Sequence, residues 1–342
     1  MTWRPRLSTQ EQAIIRKYRG IKRASKEAGV SVHDVKHGWL KTKEASLFFN
    51  NPSYKNQRLK ELEKLKETLI SDLKKYTPAF PTIKRKPIKE GHLLVVDPAD
   101  IHIGKLADSF ETGEDYNNQI AVKRVREGVL GIIDKSQGFN IDQILFIGGN
   151  DILHVDQPGA TTKGTRMDTD GMWYSNFLIA KNLYVDILEM LISIAPVHFV
   201  FNPSNHDMMS GFMLSDVIKT WFKKCKGITF DCSMAHRKGY KYGSNLIGTT
   251  HGDGAKTNDL PILMAQEFPI WWSQTKHRYV YTHHVHHKVQ KDYHGISIES
   301  LRSPSGSDSW HHIKGFQHAP AAIEGFIHNK LHGQVARLTH LF

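Results

Sequence analysis

The sequence predicts an α/β fold for most of the chain, preceded by a small all-α domain at the N-terminus. From His92 onward, short apolar runs typical of buried strands alternate with longer segments of helical periodicity. Such alternation is typical of sheet layers whose faces are covered by helices. Before residue 91 the apolar positions recur only at helical spacing. A basic segment with three prolines, residues 76–87, is predicted to be a linker between the two regions.

The net charge of +12 is concentrated at the beginning of the chain. Residues 1–90 contain 22 Lys and Arg against 9 Asp and Glu, whereas residues 91–342 contain 24 against 25. A region this basic is suited to a polyanionic partner such as DNA, although a solvated basic tail would have the same composition.

Cysteine content and hydropathy predict the cellular compartment of the protein. The two cysteines, Cys225 and Cys232, are too few for a disulfide scaffold and are compatible with a reducing compartment. No segment approaches the roughly 20 apolar residues that a membrane span needs. We therefore expect a cytoplasmic protein without a membrane partner.

Residues 1–50 predict three short helices. Ser8 and Glu11 form a capping box that opens the first helix, and Gly29 ends the second. A short helix, a tight turn and a capped helix resemble the helix-turn-helix domains of DNA-binding proteins. Its third helix would present three lysines to phosphates or bases, Lys36, Lys41 and Lys43. An ordinary three-helix packing unit is the alternative.

Residues 51–90 predict an amphipathic helix followed by the linker. Leucine recurs at positions 59, 62, 65, 69 and 73, with Lys and Glu between. This stretch is shorter than the about three to four heptads of a confident coiled coil, so we expect it to pack on the body of the protein.

Residues 91–342 predict the α/β domain. The predicted strands are Leu93–Val96, Gln143–Ile147, Val197–Phe201, Ile228–Phe230, Lys238–Tyr242, Asn245–Thr249 and Tyr279–Thr282. The predicted helices are Asn117–Asp134, Met172–Ile194, Met209–Lys224 and Leu260–Trp272.

Side chains with metal-binding chemistry follow five of these strands. The motifs are Asp100-Ile101-His102, Asn150-Asp151 with His154, Asn205-His206-Asp207, His251, and His284-Val285-His286. Loops at the carboxyl ends of strands are where open α/β sheets place their sites, so we expect the five loops to converge. In an extended segment His284 and His286 would point to the same side. A histidine-rich surface loop is the alternative for that last motif.

Taken in order, the motifs resemble those of the calcineurin-like metallophosphoesterase superfamily over about residues 91–290. The resemblance implies a layered α/β/β/α sandwich with two divalent metal ions, Mn²⁺ in the first place and Fe or Zn as alternatives. This sequence departs from the family at three backbone positions, where Asn150, Ser204 and His283 stand in place of glycine. The departures put the loop conformation in doubt, but not the ligands.

The resemblance also implies a role for each residue. One ion would be held by Asp100, His102 and His286, the other by Asn205, His251 and His284, and Asp151 would bridge them. A bridging carboxylate offsets the repulsion of two ions about 4 Å apart, and the ions would activate a water molecule that attacks phosphorus. The catalytic side chains would be His206, which protonates or stabilises the leaving oxygen, Asp207, which orients His206, and His154, which contacts the phosphate.

His154 and the opening Ala99–Lys105 look most like the SbcD-type recombination nucleases. We therefore hypothesise a DNA phosphodiesterase, exonuclease or endonuclease, delivered by the helix-turn-helix. Lys163 and Arg166 in the loop 155–171 would line its nucleic-acid groove, and a disordered surface loop is the alternative. Together the two domains resemble bacteriophage proteins, which would place the chain in a host cytoplasm. The sequence leaves a homodimer open.

Two other functions are compatible with the sequence. A hydrolase of small cyclic or dinucleoside phosphodiesters is favoured by the near-neutral charge of residues 91–342, because a nuclease groove is usually basic. A DNA-binding module with a non-catalytic metal domain is the other alternative, and the complete set of seven ligand-type residues argues against it.

Overall fold

A computed structural model describes residues 60, 63–64, 66–67, 80–86, 88–315 and 319–342. The chain divides into two compact units, residues 1–77 and 78–342, and nearly all of the described residues belong to the second. The predicted helix-turn-helix, with Lys36, Lys41 and Lys43, lies outside the described residues, as does most of the predicted amphipathic helix.

Six strands form the first sheet, in the order β11-β10-β1-β2-β3-β4. Strands β1 to β4 are parallel, and β10 and β11 extend the sheet in antiparallel pairing. Their bounds are β1 His92–Asp97, β2 Ile141–Gly149, β3 Val197–Asn202, β4 Ile228–Asp231, β10 Ala322–Asn329 and β11 Gly333–Leu341. β1 is buried on both faces, which explains its unbroken apolar sequence.

Five strands form the second sheet, in the order β5-β6-β7-β9-β8. Their bounds are β5 Lys238–Tyr242, β6 Asn245–Thr250, β7 His277–Thr282, β8 Val289–Tyr293 and β9 Ile296–Ser300. β6, β7 and β9 run parallel, while β5 and β8 pair antiparallel at the two edges. The predicted hairpin of β5 and β6 is confirmed.

Seven α-helices connect these strands in the described part of the chain. They are α1 Ser109–Thr112, α2 Asn118–Lys135, α3 Trp173–Ile194, α4 Met208–Trp221, α5 Leu260–Glu267, α6 Pro269–Gln274 and α7 Ser309–Lys314. None of the helices in the described residues is long and apolar enough to cross a membrane.

Alternating side chains of the strands build three apolar layers. Leu94 of β1 points into a core that includes buried residues of α2, α3 and α4. Its neighbour Leu93 points the other way, into a core shared with Tyr281 of β7 between the two sheets. On the far side of the second sheet, Val280 packs with Met264 of α5. Burial of each such large side chain contributes about 1.5–3 kcal/mol. The order helix, sheet, sheet, helix agrees with the predicted layered α/β/β/α arrangement.

Two local predictions are wrong. The predicted helix Leu260–Trp272 is two helices, because Pro269 lacks the N–H that a continuous helix needs and starts α6 anew. The strand before the last motif ends at Thr282, as predicted, but His284 and His286 have φ angles of 73° and 57° and therefore do not form an extended segment. Strands β8 to β11 follow this motif and were not predicted.

Candidate metal centre

The five motif loops meet at one edge of the molecule. Each loop follows the carboxyl end of a strand within a parallel pairing, β1, β2 and β3 in the first sheet and β6 and β7 in the second. Parallel strands bring their carboxyl ends to the same side of a sheet, as the sequence analysis expected.

Asp100, His102 and His286 form the first donor group. Their ligand atoms all lie within 4.8 Å of one another. Nε2 of His286 is 3.3 Å from Nε2 of His102 and 3.5 Å from Oδ1 of Asp100. That Oδ1 atom is buried and makes no hydrogen bond to the described residues. A cation held between these three side chains would satisfy the buried carboxylate oxygen.

Asp151, His251 and His284 form the second donor group, again with ligand atoms within 4.8 Å. Nε2 of His251 lies 3.2 Å from Oδ2 of Asp151 and 2.8 Å from Oδ1 of Asn205. Asn205 therefore adjoins this group, and the structure brings all seven predicted ligands together. Asp151 sits in the second group and is near enough to Asp100 to act on its pKa.

The pKa shifts of the two carboxylates and of His102 suit metal coordination. Burial raises the pKa of Asp151, but the nearby His251 and His206 outweigh it and leave the pKa lowered. Burial also raises the pKa of Asp100, but the nearby His286 outweighs burial and leaves this pKa lowered. Burial, then the neighbouring His206, lowers the pKa of His102 well below its ordinary value. Ionised carboxylates beside a neutral imidazole are the forms that bind borderline metals. Burial lowers the pKa of His251, but the charge of Asp151 outweighs burial and raises it to about 9, so a bound metal would displace a proton from this imidazole.

Backbone strain is concentrated in the motif loops. Among the described residues, six that are not glycine have a positive φ, between 51° and 73°: Asp100, His102, Asn150, Asp151, His284 and His286. Five of them are predicted ligands. A left-handed conformation costs a non-glycine residue about 1–3 kcal/mol and persists where the surroundings impose it, commonly at functional sites. Because of these left-handed conformations, His286 belongs to the first donor group and His284 to the second. The alternation of side chains along an extended strand is therefore not the reason why the two histidines lie near each other.

The three positions that depart from the family pattern are accommodated by particular contacts. Asn150 takes a φ of 51°, which asparagine tolerates better than most residues. Ser204 accepts a hydrogen bond from the backbone N–H of Asp151 at 2.8 Å and donates one to Asp207 at 2.6 Å. The serine hydroxyl thus ties the second and third loops together.

His283 is the third departure, and its side chain is buried rather than exposed. Its Nε2 lies 3.0 and 3.1 Å from the two carboxylate oxygens of Asp97, and its Nδ1 lies 3.1 Å from the carbonyl oxygen of Thr250. The backbone N–H of His283 donates to the carbonyl of His251 at 2.9 Å. Sequence reasoning missed this pair, although an aspartate that ends a fully apolar strand is a signal, since a buried carboxylate needs a partner.

His206 and His154 lie beside the donor groups. Nδ1 of His206 is 2.8 Å from the carbonyl oxygen of His154, and Nε2 is 4.0 Å from Oδ2 of Asp151. Nδ1 of His154 is 3.4 Å from Nδ1 of His102. The nitrogens of these three histidines also lie within 4.8 Å of one another, close enough to hold an ion themselves.

Asp207 contacts other groups than the predicted one. Its carboxylate accepts hydrogen bonds from the Ser204 hydroxyl at 2.6 Å and from the Leu153 N–H at 2.9 Å, so the carbonyl of His154 is the group that orients the His206 ring. Burial, then the charge of Asp151, raises the pKa of Asp207 to about 7.

A cleft of about 380 Å³ lies over the two donor groups. Lys163 lines it, whereas Arg166 lines an adjoining cavity of about 340 Å³ together with His154. Their loop is held by Asp156, whose carboxylate accepts the N–H groups of Met209 and Ser210 at the start of α4. The cleft also has residues to which the sequence analysis gave no role, among them His287 and His311.

No family model and no curated protein matches this chain. The solved structures similar to it include Vps29 from Entamoeba histolytica complexed with zinc, with 12% identity, 73% of this chain and 98% of that chain covered, and a TM-score of 0.31. Vps29 from Chaetomium thermophilum has 12% identity, covers 73% and 97%, and has a TM-score of 0.33. An archaeal phosphodiesterase has 7% identity, covers 73% and 99%, and has a TM-score of 0.33. TM-scores this low do not decide the fold or the activity of this chain.

Proposed function

We propose that this chain is a phosphodiesterase of the calcineurin-like type that uses two divalent metal ions. The observation that carries the proposal is the pair of adjacent Asp/His donor groups, whose ligands include five strained, left-handed residues. A purely structural loop has no reason to retain five such conformations in residues of one chemical kind.

The donor atoms fit two borderline cations. Carboxylate, amide and imidazole ligands in mixture suit Mn²⁺, Fe or Zn, and Mn²⁺ is our first choice. When bound, the ions would lower the pKa of a water molecule and stabilise charge on the transferring phosphoryl group. We assign the shared position between the two ions to Asp151, which would belong to both sites: it is a member of the second group, and its backbone carbonyl accepts a hydrogen bond from the N–H of His102 of the first group at 2.9 Å.

The chain's own residues would move the proton and hold the substrate. The bond to the His154 carbonyl holds the Nδ1–H of His206, so Nε2 is the atom that faces Asp151 and the cleft. We assign His206 the proton transfer to the leaving oxygen. Lys163 would attract the phosphate from the wall of the cleft.

DNA is the substrate that we propose, with the chain acting as an SbcD-type nuclease. The basic residues 1–90 support it, because Lys and Arg that displace counterions provide most non-specific affinity for DNA. A small cyclic or dinucleoside phosphodiester is the second candidate. The near-neutral charge of residues 91–342 and the limited volume of the cleft favour that substrate.

The experiment starts from full-length protein depleted of metal and reloaded separately with Mn²⁺, Fe²⁺ or Zn²⁺. Metal content is measured together with hydrolysis of bis-p-nitrophenyl phosphate, single-stranded DNA, duplex DNA and a cyclic nucleotide. We expect two ions per chain and hydrolysis of the chromogenic diester. Absence of both metal binding and hydrolysis would refute the proposal.

A salt titration of DNA binding distinguishes the two candidate substrates, with catalysis blocked by His206→Asn. Replacing Lys36, Lys41 and Lys43 by Ala should reduce the slope of log K against log salt by about 0.9 for each phosphate that the protein no longer neutralises. An unchanged slope, with hydrolysis confined to small diesters, would favour the second candidate.

A further inference from the structure

We propose that His311, oriented by Asp308 and Lys105, contacts the substrate from the part of the cleft wall that α7 contributes. The inference rests on the proposed function and deepens it. His311 would mark the place where the second ester group of a phosphodiester extends from the centre, so it would favour diesters over monoesters.

A single carboxylate orients the imidazole of His311. Oδ1 of Asp308 lies 2.7 Å from Nδ1 of His311 and also accepts the backbone N–H of His311 at 3.0 Å. Asp308 is at the same time the N-cap residue of α7. Because Asp308 holds Nδ1, the orientation of the whole ring, Nε2 included, is fixed in the wall of the cleft.

Asp308 is itself anchored to the first motif loop. Oδ2 of Asp308 forms an ion pair with Nζ of Lys105 at 3.1 Å, and both side chains are buried. Lys105 follows the ligand His102 by three residues. A buried lysine is costly without a partner, and this ion pair links α7 to the first motif loop.

The ring of His311 stands beside the donor groups, at the junction of two cavities. It stacks on the ring of His286, with 5.0 Å between centroids and 23° between planes. Both histidines line the main cleft and a second cavity of about 190 Å³.

The second cavity has the chemistry of a site for a polar organic group. Its lining includes Ser305, Ser307 and the carboxylate of Glu114, which is fixed by Arg124 at 3.2 Å. Hydroxyl and carboxylate groups bind the hydroxyls of a sugar well. A diester at the metal centre could place one ester group here and the other in the main cleft, with His311 contacting an oxygen between them. A phosphate monoester has only one such group.

The test compares His311→Ala, His311→Asn and His311→Gln with the matched control His312→Ala. His312 is exposed on the same helix and lines neither cavity. For each variant, kcat and KM are measured with bis-p-nitrophenyl phosphate and with p-nitrophenyl phosphate, together with metal content and the affinity of Mn²⁺-loaded protein for inorganic phosphate.

We expect His311→Ala to lower kcat/KM for the diester by about tenfold to a hundredfold, the range of a hydrogen bond to a charged group, with less effect on the monoester and unchanged metal content. Glutamine, whose amide nitrogen reaches the position of Nε2, should retain more activity than asparagine, which can replace only the bond to Asp308. If alanine prevents folding, this contrast between the two amides decides.

Equal losses for both substrates, equal effects of the two amides, or loss of metal would overturn the proposal, the last because His311 would then act through His286. Failure of the proposed function is distinguishable, since the wild type itself would then not hydrolyse the diester.

Discussion

Two sets of loops build the candidate metal centre and are held in place by different means. The loops that follow the first sheet form its first half, and the loop that follows β7 forms its second half. The loops that follow the first sheet hydrogen-bond to each other through their backbones: Asp100 N–H to the Asn150 carbonyl at 2.8 Å, and His102 N–H to the Asp151 carbonyl at 2.9 Å. The loop that follows β7 presents an exposed His284 and a half-buried His286. Its main side-chain anchor is the buried pair of His283 and Asp97.

This difference indicates which half is preorganised. Asp100, His102 and Asp151 are almost completely buried within a network that many backbone groups support. The positions of His284 and His286 depend more on one pair of side chains. We therefore expect substitutions in the first half to impair hydrolysis directly. Substitution of the anchor in the second half should instead destabilise the loop that carries His284 and His286.

The largest effect is expected for Asp151→Ala. Loss of the bridging carboxylate should abolish hydrolysis of a simple diester and reduce bound metal to about half, because both ions lose a ligand. Metal analysis and a chromogenic assay check it, with the exposed Asp216→Ala on α4 as control. Full activity with two ions per chain would rule out the bridging role.

His283→Ala tests the second half. It leaves the carboxylate of Asp97 buried without its partner, which should lower the free energy of unfolding by about 3–5 kcal/mol. Bound metal should also fall, since His284 and His251 adjoin His283. Denaturant unfolding measures the first effect, and the exposed His287→Ala should change stability by less than about 0.5 kcal/mol. Equal stability of both variants would show that the pair anchors nothing.

His206→Asn should separate proton transfer from metal binding within the first half. Turnover should fall by about a hundredfold, because the proton donor is lost, while metal content stays normal. His198→Asn, on the strand β3 that precedes His206 but away from the cleft lining, is the control. Metal loss in His206→Asn would make His206 a ligand, as its proximity to His102 and His154 allows.

Asp207→Asn should change the pH dependence of stability. The pKa of Asp207 is raised to about 7 in the folded state, whereas an unfolded aspartate titrates near 4. The folded protein therefore binds the extra proton between these values, and stability falls as pH rises from about 4 to about 7. The slope that Asp207 contributes is about 1.4 kcal/mol for each pH unit.

Unfolding of the metal-free wild type and of Asp207→Asn across this pH range measures that slope. The asparagine variant should lack the decline. If both proteins lose stability in parallel, the titration belongs to another group.

The parts of the fold that were predictable are those with a local signal. Strands β1, β2 and β3 are buried on both faces and appear in the sequence as apolar runs, predicted to within about two residues of their ends. Strand β10 was not predicted although it lies inside the sheet, between β11 and β1, because it contains buried polar residues. Glu324 pairs with Arg302 at 2.7 Å, and His328 shares a hydrogen bond of 2.9 Å with the Tyr281 hydroxyl. Partners so distant in sequence leave no local pattern.

The sequence by itself determined which ligand types follow which strands, since short motifs place Asp, Asn and His directly after apolar runs. The resemblance already assigned them to two ions, and the tertiary structure provides the physical basis of that grouping. His284 and His286 separate into two donor groups because both adopt left-handed conformations that no local preference favours. The pairing of Asp97 with His283 and the approach of His311 to His286 depend on packing between segments distant in sequence. Such contacts arise only when the two sheets and α7 close around the centre, because their stabilisation comes from burial that no isolated segment can achieve.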